Sequence, residues 1–345
     1  MPQLLSPETP ILVTGGAGLI GSNIVYQLNR RGCRNVTIVD HLGLSEKWQN
    51  LRALDFVDYF EKEAFAALLK QDDTPQKYPL IFHLGACSDT TEPNASYLAD
   101  NNYTFSKLLA QYACRHGSRM IYASSAATYG NGDQGFRDDT ENIGILRPLN
   151  KYGFSKQLFD LHLLHQGLLL NDHNGATFVG LKYSNIYGPN EYHKGKMRSM
   201  FLRAYEQITA DGKVRLFKSY RPEYQDGEQV RDFLYVKDAA AMSIFFAEAE
   251  GLSCRGLYNI GYGATRTWND LAKAMFAALG LKPCIEYIDM PEDLRPRYQY
   301  LTCLDIGKIR RAGWTRQPLT MEQAALDYVQ YLTTSAHVGE IDTDK

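Results

Sequence analysis

Short apolar runs recur along this chain, each closed by a glycine, a serine or a charged residue, with amphipathic stretches between them. Ile11-Leu12-Val13 precedes a glycine-rich turn, and Val36-Thr37-Ile38-Val39 ends in Asp40. Leu80-Ile81-Phe82-His83-Leu84, Met120-Ile121-Tyr122-Ala123 and Thr177-Phe178-Val179-Gly180-Leu181-Lys182 continue the series. Helices are predicted from Tyr97 to about Arg115 and from near Gly153. Runs apolar throughout, alternating with helices, predict a parallel sheet covered on both faces and doubly wound. Leu257-Tyr258-Asn259-Ile260 reads as a late strand of the same sheet.

The stretch Thr14-Gly15-Gly16-Ala17-Gly18-Leu19-Ile20-Gly21 joins the first strand to the first helix. Gly15 suits a tight turn, Gly18 a close approach of backbone to a pyrophosphate, and Gly21 close packing of helix on strand. The helix amides then face an anion. Asp40 follows Gly21 by 19 residues, where a carboxylate meets the adenosine ribose of a dinucleotide. These features predict an α/β fold of Rossmann type: a doubly wound parallel sheet with a smaller, interleaved C-terminal α/β substrate lobe.

Residues 1–189, with 231–262 returning to them, are expected to form the dinucleotide domain. Residues 190–230 and 263–335, rich in tyrosine and charge, are expected to form the substrate lobe, and 336–345 a loose tail. Arg231-Asp232-Phe233-Leu234-Tyr235-Val236 reads as sheet-associated.

Composition excludes several classes. The net charge is -2 with 22% charged residues, which predicts no nucleic-acid partner. The six cysteines are scattered without a CxxC pair, so neither a metal site nor a disulfide framework is expected. No basic region followed by a long apolar stretch opens the chain, and no run approaches the ~18 apolar residues of a membrane span. A cytoplasmic protein without membrane association is the expectation.

Oxidising a sugar alcohol calls for a base whose pKa falls below the roughly 10 of a free phenol. A tyrosine four residues before a lysine on a helix places an ammonium beside the phenol. Tyr152/Lys156, Tyr103/Lys107 and Tyr192/Lys196 all have this spacing. Position favours Tyr152, which begins a helix soon after Ser124-Ser125-Ala126-Ala127-Thr128-Tyr129-Gly130 closes a predicted strand.

With an early GxxGxxG turn, a strand-end serine and a YxxxK helix in order, the chain resembles the extended short-chain dehydrogenase/reductase family. The resemblance implies that Ser125 holds the reacting oxygen, Tyr152 exchanges the proton and Lys156 binds the nicotinamide ribose. Dehydratases of that family carry an Asp-Glu pair where this chain has Ala126 and Ala127, so water elimination is not expected. Within the family, the runs Gly85–Glu92, Asp100–Tyr103, Ser124–Gly130, Tyr187–Gly195 and Arg231–Phe233 are similar to those of the ADP-heptose 6-epimerases. That similarity implies an isomerase acting at C6 of an ADP-heptose nucleotide sugar in lipopolysaccharide inner-core synthesis, with Lys194 as a second acid/base group. It implies a homo-oligomer, a pentamer being one arrangement.

The resemblance also implies that Leu19, Ile20, Leu84, Gly85, Ala86, Cys87, Ser88, Asn101 and Ile186 line the cofactor. Asn185, Lys196, Arg203, Phe217, Lys218, Ser219, Tyr220, Arg231 and Tyr298 are implied as substrate contacts, Arg231 forking onto the pyrophosphate. Lys196, Arg203 and the residues around Arg221 to Glu228 depart from some relatives where sugar specificity is set. Asp40 alone argues for NAD, because it repels a 2′-phosphate. Lys47 and Lys62 match lysines that offset that charge, so NADP is expected over NAD, with His41 as a further contact. The competing readings are another nucleotide-sugar epimerase or reductase of the same family, and a non-catalytic NADP-binding sensor or scaffold.

Overall fold

The structure is a computed structural model that describes residues 4–292, 294, 295 and 298–341. Its strands are β1 (Ile11–Thr14), β2 (Val36–Asp40), β3 (Asp58–Glu61), β4 (Leu80–His83), β5 (Arg119–Ser125), β6 (Thr177–Tyr183), β7 (Asn185–Tyr187), β8 (Val214–Phe217), β9 (Val230–Arg231), β10 (Phe233–Tyr235), β11 (Gly256–Ile260), β12 (Arg266–Thr267) and β13 (Ile285–Ile288). Its helices are α1 (Leu19–Arg30), α2 (Lys62–Gln71), α3 (Ala95–Ala99), α4 (Phe105–His116), α5 (Lys151–His165), α6 (Met200–Asp211), α7 (Val236–Phe245), α8 (Trp268–Ala278), α9 (Gly307–Arg311) and α10 (Met321–Thr334).

Seven strands form one sheet in the order β11-β6-β5-β4-β1-β2-β3, every pairing parallel. Successive strand residues point to opposite faces. Ile11 and Val13 therefore enter one core with Ile24 and Leu28 of α1, while Leu12 enters the other with Leu109 of α4 and Phe159 of α5. Both faces are buried, which is why the strands read as unbroken apolar runs. The chain winds outward from β1 through β2 and β3, then crosses back to β4. This reversal opens a crevice at the strand ends between β1 and β4.

The pairing of β11 with β6 places Leu257–Ile260 in the main sheet, as its pattern predicted. The Arg231–Tyr235 segment behaves differently: β9 pairs with β12, and β10 with β7, in separate two-stranded ladders. A third ladder joins β8 to β13.

The helix predicted from Tyr97 to about Arg115 is interrupted. A π-helical turn spans Asp100–Thr104 between α3 and α4, a deformation that often marks functional sites. Residues 336–341, expected as part of a loose tail, are instead fastened down. Ala336, His337 and Val338 are buried, Val338 N donates to Asn190 Oδ1 at 3.1 Å, and Glu340 pairs with Arg52. Val338 and Ala336 supply the apolar contact that the sequence period was too short to reveal; residues 342–345 lie outside the described residues.

Candidate active site

The glycine turn works by close packing. Gly15 has φ +71°, and a Cβ there would lie 2.5 Å from Gly85 N. A Cβ on Gly21 would lie 2.1 Å from Gly15 O, so only glycine lets α1 sit on the turn. No side chain caps α1 at Gly18, which leaves its first amides for an anion in front of the helix. The turn opens into a cleft of ≈ 1590 Å³.

Asp40, at the end of β2, has both carboxylate oxygens engaged: Oδ2 accepts from Ala17 N at 2.8 Å, and Oδ1 from His41 N at 2.7 Å and Lys47 Nζ at 2.6 Å. Lys47 also borders the cleft. His41 borders it but is paired with Glu61 at 3.1 Å. Lys62 is outside the cleft lining, bonded to Asn101 Oδ1 at 2.8 Å and to Glu63 at 3.2 Å. Asn101 is likewise absent from the lining. The exposed His41, Glu61 and Glu63 place ligand-type atoms within 4.8 Å of one another, a juxtaposition that cysteine spacing gave no reason to expect.

Ser125 ends β5 and caps the turn that follows, accepting from Ala127 N at 3.1 Å. Helix α5 starts beside this turn: Asn150 Oδ1 caps Gly153 N at 2.8 Å, and a Cβ on Gly153 would be 2.7 Å from Ala127 O. The glycine after Tyr152 thus lets the helix approach until the phenol reaches Ser125. Lys156, one turn on, is buried and donates to Ala123 O at 2.9 Å. Tyr103 is elsewhere, with Lys107 4.3 Å over its ring, and Tyr192 is bound into the C-terminal segment.

Burial dominates the electrostatics here. It pushes Lys156 down to about 8, against the opposing pull of Asp160. It also raises the Tyr152 phenol, which Ser125 lowers by hydrogen bonding. The sequence suggested that Lys156 depresses Tyr152; burial outweighs any such influence, so Tyr152 holds its proton at neutral pH.

The loop 192–197 brings Lys194 to the same cleft. Its Nζ has no hydrogen-bond or ion-pair partner among the described residues, and burial lowers its pKa while Glu191 raises it. Lys196, on the same loop, bridges to Asp89 at 3.2 Å. Arg203 donates to Lys196 O, so these two residues tie the loop together as well as lining the cleft.

Arg231 is buried with no carboxylate partner among the described residues. It donates to Val230 O at 2.9 Å and to Gln299 O, and it lies 5.4 Å from the Tyr298 ring and 5.6 Å from that of Trp268. A buried guanidinium held by carbonyls and rings is suited to an anionic ligand. Phe217, Tyr298, Asn185 and Ile186 line the cleft with it. Lys218, Ser219 and Tyr220 do not: Lys218 and Tyr220 turn to Asp289, at 3.3 and 2.9 Å, and Ser219 N donates to Asp226.

Sequence reasoning missed Asn102. Buried in the π turn, it accepts from Cys87 N at 2.8 Å and donates to Cys87 O at 3.0 Å and Ser155 Oγ at 2.9 Å, pinning the 84–88 loop to α5. The π turn shifts the side-chain register, so regular helical spacing carries no signal of it. Trp268, Gln299 and Thr302 were also missed as lining residues.

The glycine cradle, the uncapped helix start and the lysine-neutralised Asp40 fit a dinucleotide. Comparison with known proteins agrees with that fit. The model of the NAD dependent epimerase/dehydratase family matches residues 11–261. An ADP-L-glycero-D-manno-heptose-6-epimerase from Nitratidesulfovibrio vulgaris (strain Hildenborough) is 45% identical over 325 residues, covering 94% of this chain and 98% of that protein. One from Fusobacterium nucleatum is 42% identical, covering 93% and 97%. The crystal structure of the Helicobacter pylori ADP-L-glycero-D-manno-heptose-6-epimerase superposes with a TM-score of 0.75 at 27% identity, covering 95% and 97%. On the family match and on these relatives, which it covers almost end to end, the chain belongs to the NAD dependent epimerase/dehydratase family.

Proposed function

We propose that this protein inverts C6 of an ADP-linked heptose, interconverting the D-glycero-D-manno and L-glycero-D-manno forms for the lipopolysaccharide inner core, with NADP as a bound cofactor. The observation that carries this reading is a second ionisable group, Lys194, without a partner among the described residues, in the cleft that holds Ser125, Tyr152 and Lys156. A one-way dehydrogenase needs one acid/base group. Inversion presents the reacting oxygen in two orientations and is served by two groups on separate elements.

The residues around the glycine turn, with Asp40, Lys47 and Lys156, would hold a nicotinamide dinucleotide, which would supply reversible hydride exchange at C6. Tyr152 exchanges the proton of the C6 oxygen, which Ser125 Oγ orients. Lys156, which donates to Ala123 O, would bind the cofactor ribose and, one helical turn from Tyr152, would offset part of the burial that keeps that phenol protonated. Lys194 serves the oxygen in its second orientation; burial lowers its pKa, which makes the ammonium a readier proton donor. Arg231, flanked by Tyr298 and Trp268, binds the substrate diphosphate.

NADP is favoured because Asp40 is turned onto Ala17 N and Lys47. A carboxylate with both oxygens engaged is a poor ribose acceptor, while Lys47 beside it can meet a 2′-phosphate. Lys62, joined to Asn101 and Glu63, carries less of that role than the resemblance implied. A cytoplasmic homo-oligomer is the setting we infer, since the nucleotide sugar is a soluble substrate; among the described residues no helix is long and apolar enough to cross a membrane.

Incubation with ADP-D-glycero-D-manno-heptose, with C6 configuration followed by NMR and the NADPH band by absorbance, tests the proposal. Conversion to the L-glycero form without net cofactor consumption is expected. Net NADPH change with turnover would favour a reductase, and no reaction with NADP bound would leave a scaffold or a different sugar.

A further inference from the structure

Asn50 lies between the two halves of the site, and neither the motifs nor the family resemblance assigns it a role. It is 2% exposed and sits in the 3-10 turn Glu46–Leu51, which also carries Lys47. Its Nδ2 reaches Ala17 O of the glycine turn at 2.8 Å, Asn190 O at 3.0 Å and His193 Nδ1 at 3.3 Å. Those acceptors belong to segments more than 170 residues apart in sequence. One belongs to the anion cradle, and the others lead directly into Lys194.

The contact continues in both directions. Ala17 N donates to Asp40, which holds Lys47, so the turn, the acidic residue and the lysine form one bonded unit on the cofactor side. On the other side Asn190 is buried with φ 78°, a left-handed conformation that asparagine tolerates but does not prefer. Three contacts hold it there: Asn50 on its carbonyl, Ser22 Oγ at 2.9 Å from its Nδ2, and Val338 N on its Oδ1. Lys194, four residues on, lacks a side-chain partner among the described residues, so its position depends on this backbone.

We propose that Asn50 is a positioning residue that couples occupation of the dinucleotide cradle to the placement of the Lys194 loop. A ligand seated on the glycine turn restrains Ala17, and through the Asn50 amide restrains Asn190 and His193. Lys194 is thereby held in the cleft when cofactor is present and is freer when it is absent. This inference rests on the reading of the cleft as a dinucleotide site with Lys194 as a working group. It adds that the two are energetically linked through one side chain, so that the Lys194 loop opens less often in the loaded protein.

Hydrogen–deuterium exchange of the peptide spanning 190–199, with and without saturating NADP, tests it in the full chain. The expected result for the wild type is slower exchange of this peptide when NADP is bound. Asn50→Ala is expected to bind NADP, checked by fluorescence titration, yet to show no NADP-dependent protection at 190–199. Its turnover is expected to fall about tenfold with little change in the sugar KM, and combining it with Lys194→Ala should cost nothing further. His193→Ala removes one of the three contacts and is expected to weaken the protection partly; it serves if Asn50→Ala does not fold. Protection that persists in Asn50→Ala at saturating NADP, or that is absent from the wild type although NADP binds, overturns the coupling. Failure of the wild type to bind NADP or NAD overturns the cofactor reading instead.

Discussion

The Lys47 ammonium sits 2.6 Å from Asp40 Oδ1, so the acidic residue that would ordinarily select NAD is already neutralised from within the protein. The pair is largely buried, with side-chain exposures of 18% and 9%, which shields it from solvent screening. Removing the lysine restores an unopposed carboxylate facing any 2′-phosphate. Lys47→Ala is expected to weaken NADP binding by about tenfold or more, the loss typical of one charge-assisted contact. NAD affinity should change far less. Titration of both dinucleotides against protein fluorescence checks this, and equal losses for the two would show that Lys47 does not read the phosphate.

Tyr152 and Lys194 are expected to fail in different ways. Tyr152→Phe removes the proton carrier beside Ser125 and should lower turnover by about 10²–10⁴-fold while NADP still binds. Lys194→Ala leaves that set intact, so substrate should still reduce the cofactor in a single turnover, seen at the NADPH band, while release of inverted product slows. Wild-type inversion by Lys194→Ala would remove Lys194 from the mechanism.

His83, at the end of β4, is buried between Thr14 Oγ1 at 2.6 Å and Ser106 Oγ at 2.7 Å. Burial, helped by the charge of Lys156, lowers its pKa from 6.5 to about 3. As pH falls from 6.5 towards 3 the unfolded chain takes up a proton that the folded chain refuses, so folding stability declines across that window. Above 6.5 the group contributes no slope. His83→Asn keeps polar atoms near both hydroxyls and is expected to flatten the decline; urea midpoints at pH 7 and pH 4.5 would reveal an unchanged slope if the effect lies elsewhere.

Beneath the site, Lys182 and Asp160 form a buried ion pair at 3.1 Å, with side-chain exposures of 1% and 0%. Asp160 also accepts from Tyr122 at 2.9 Å and Ser124 at 2.6 Å, and Lys182 donates to Thr128 at 2.6 Å. Thr128 in turn bonds Ser125 O at 2.7 Å, so the pair braces the strand end that presents the serine. Asp160→Asn strands a buried ammonium and is expected to cost about 3–5 kcal/mol of stability. Asp160→Leu combined with Lys182→Met should recover only part of that loss in urea denaturation, because Tyr122 and Ser124 then lose their acceptor; a single variant as stable as wild type would mean that Lys182 finds water or another partner.

The sheet was legible because its strands are buried on both faces, which leaves apolar runs no polar alternation to blur them. The glycine turn was legible because each glycine answers a local steric need, visible in the contacts a Cβ would make at Gly15 and Gly21. Tyr152 was separated from Tyr103 and Tyr192 by its place after a strand end, a feature of chain order. Asn102 escaped notice because the π turn displaces it from helical register. The fastening of 336–341 escaped because its partners, Asn190, Tyr192 and Arg52, lie far away along the chain.

Local pattern by itself thus determined the main-sheet strands and the glycine turn, and chain order singled out Tyr152 and Lys156 as the candidate pair, since each depends on residues close in sequence. Tertiary structure alone decided the electrical state of those groups. Lys47 rather than Lys62 meets Asp40, Lys156 loses its water, Tyr152 keeps its proton and Lys194 stands without a partner among the described residues. A pKa or an ion pair is set by distance and desolvation in space, and those are fixed only when segments remote in the chain are packed together.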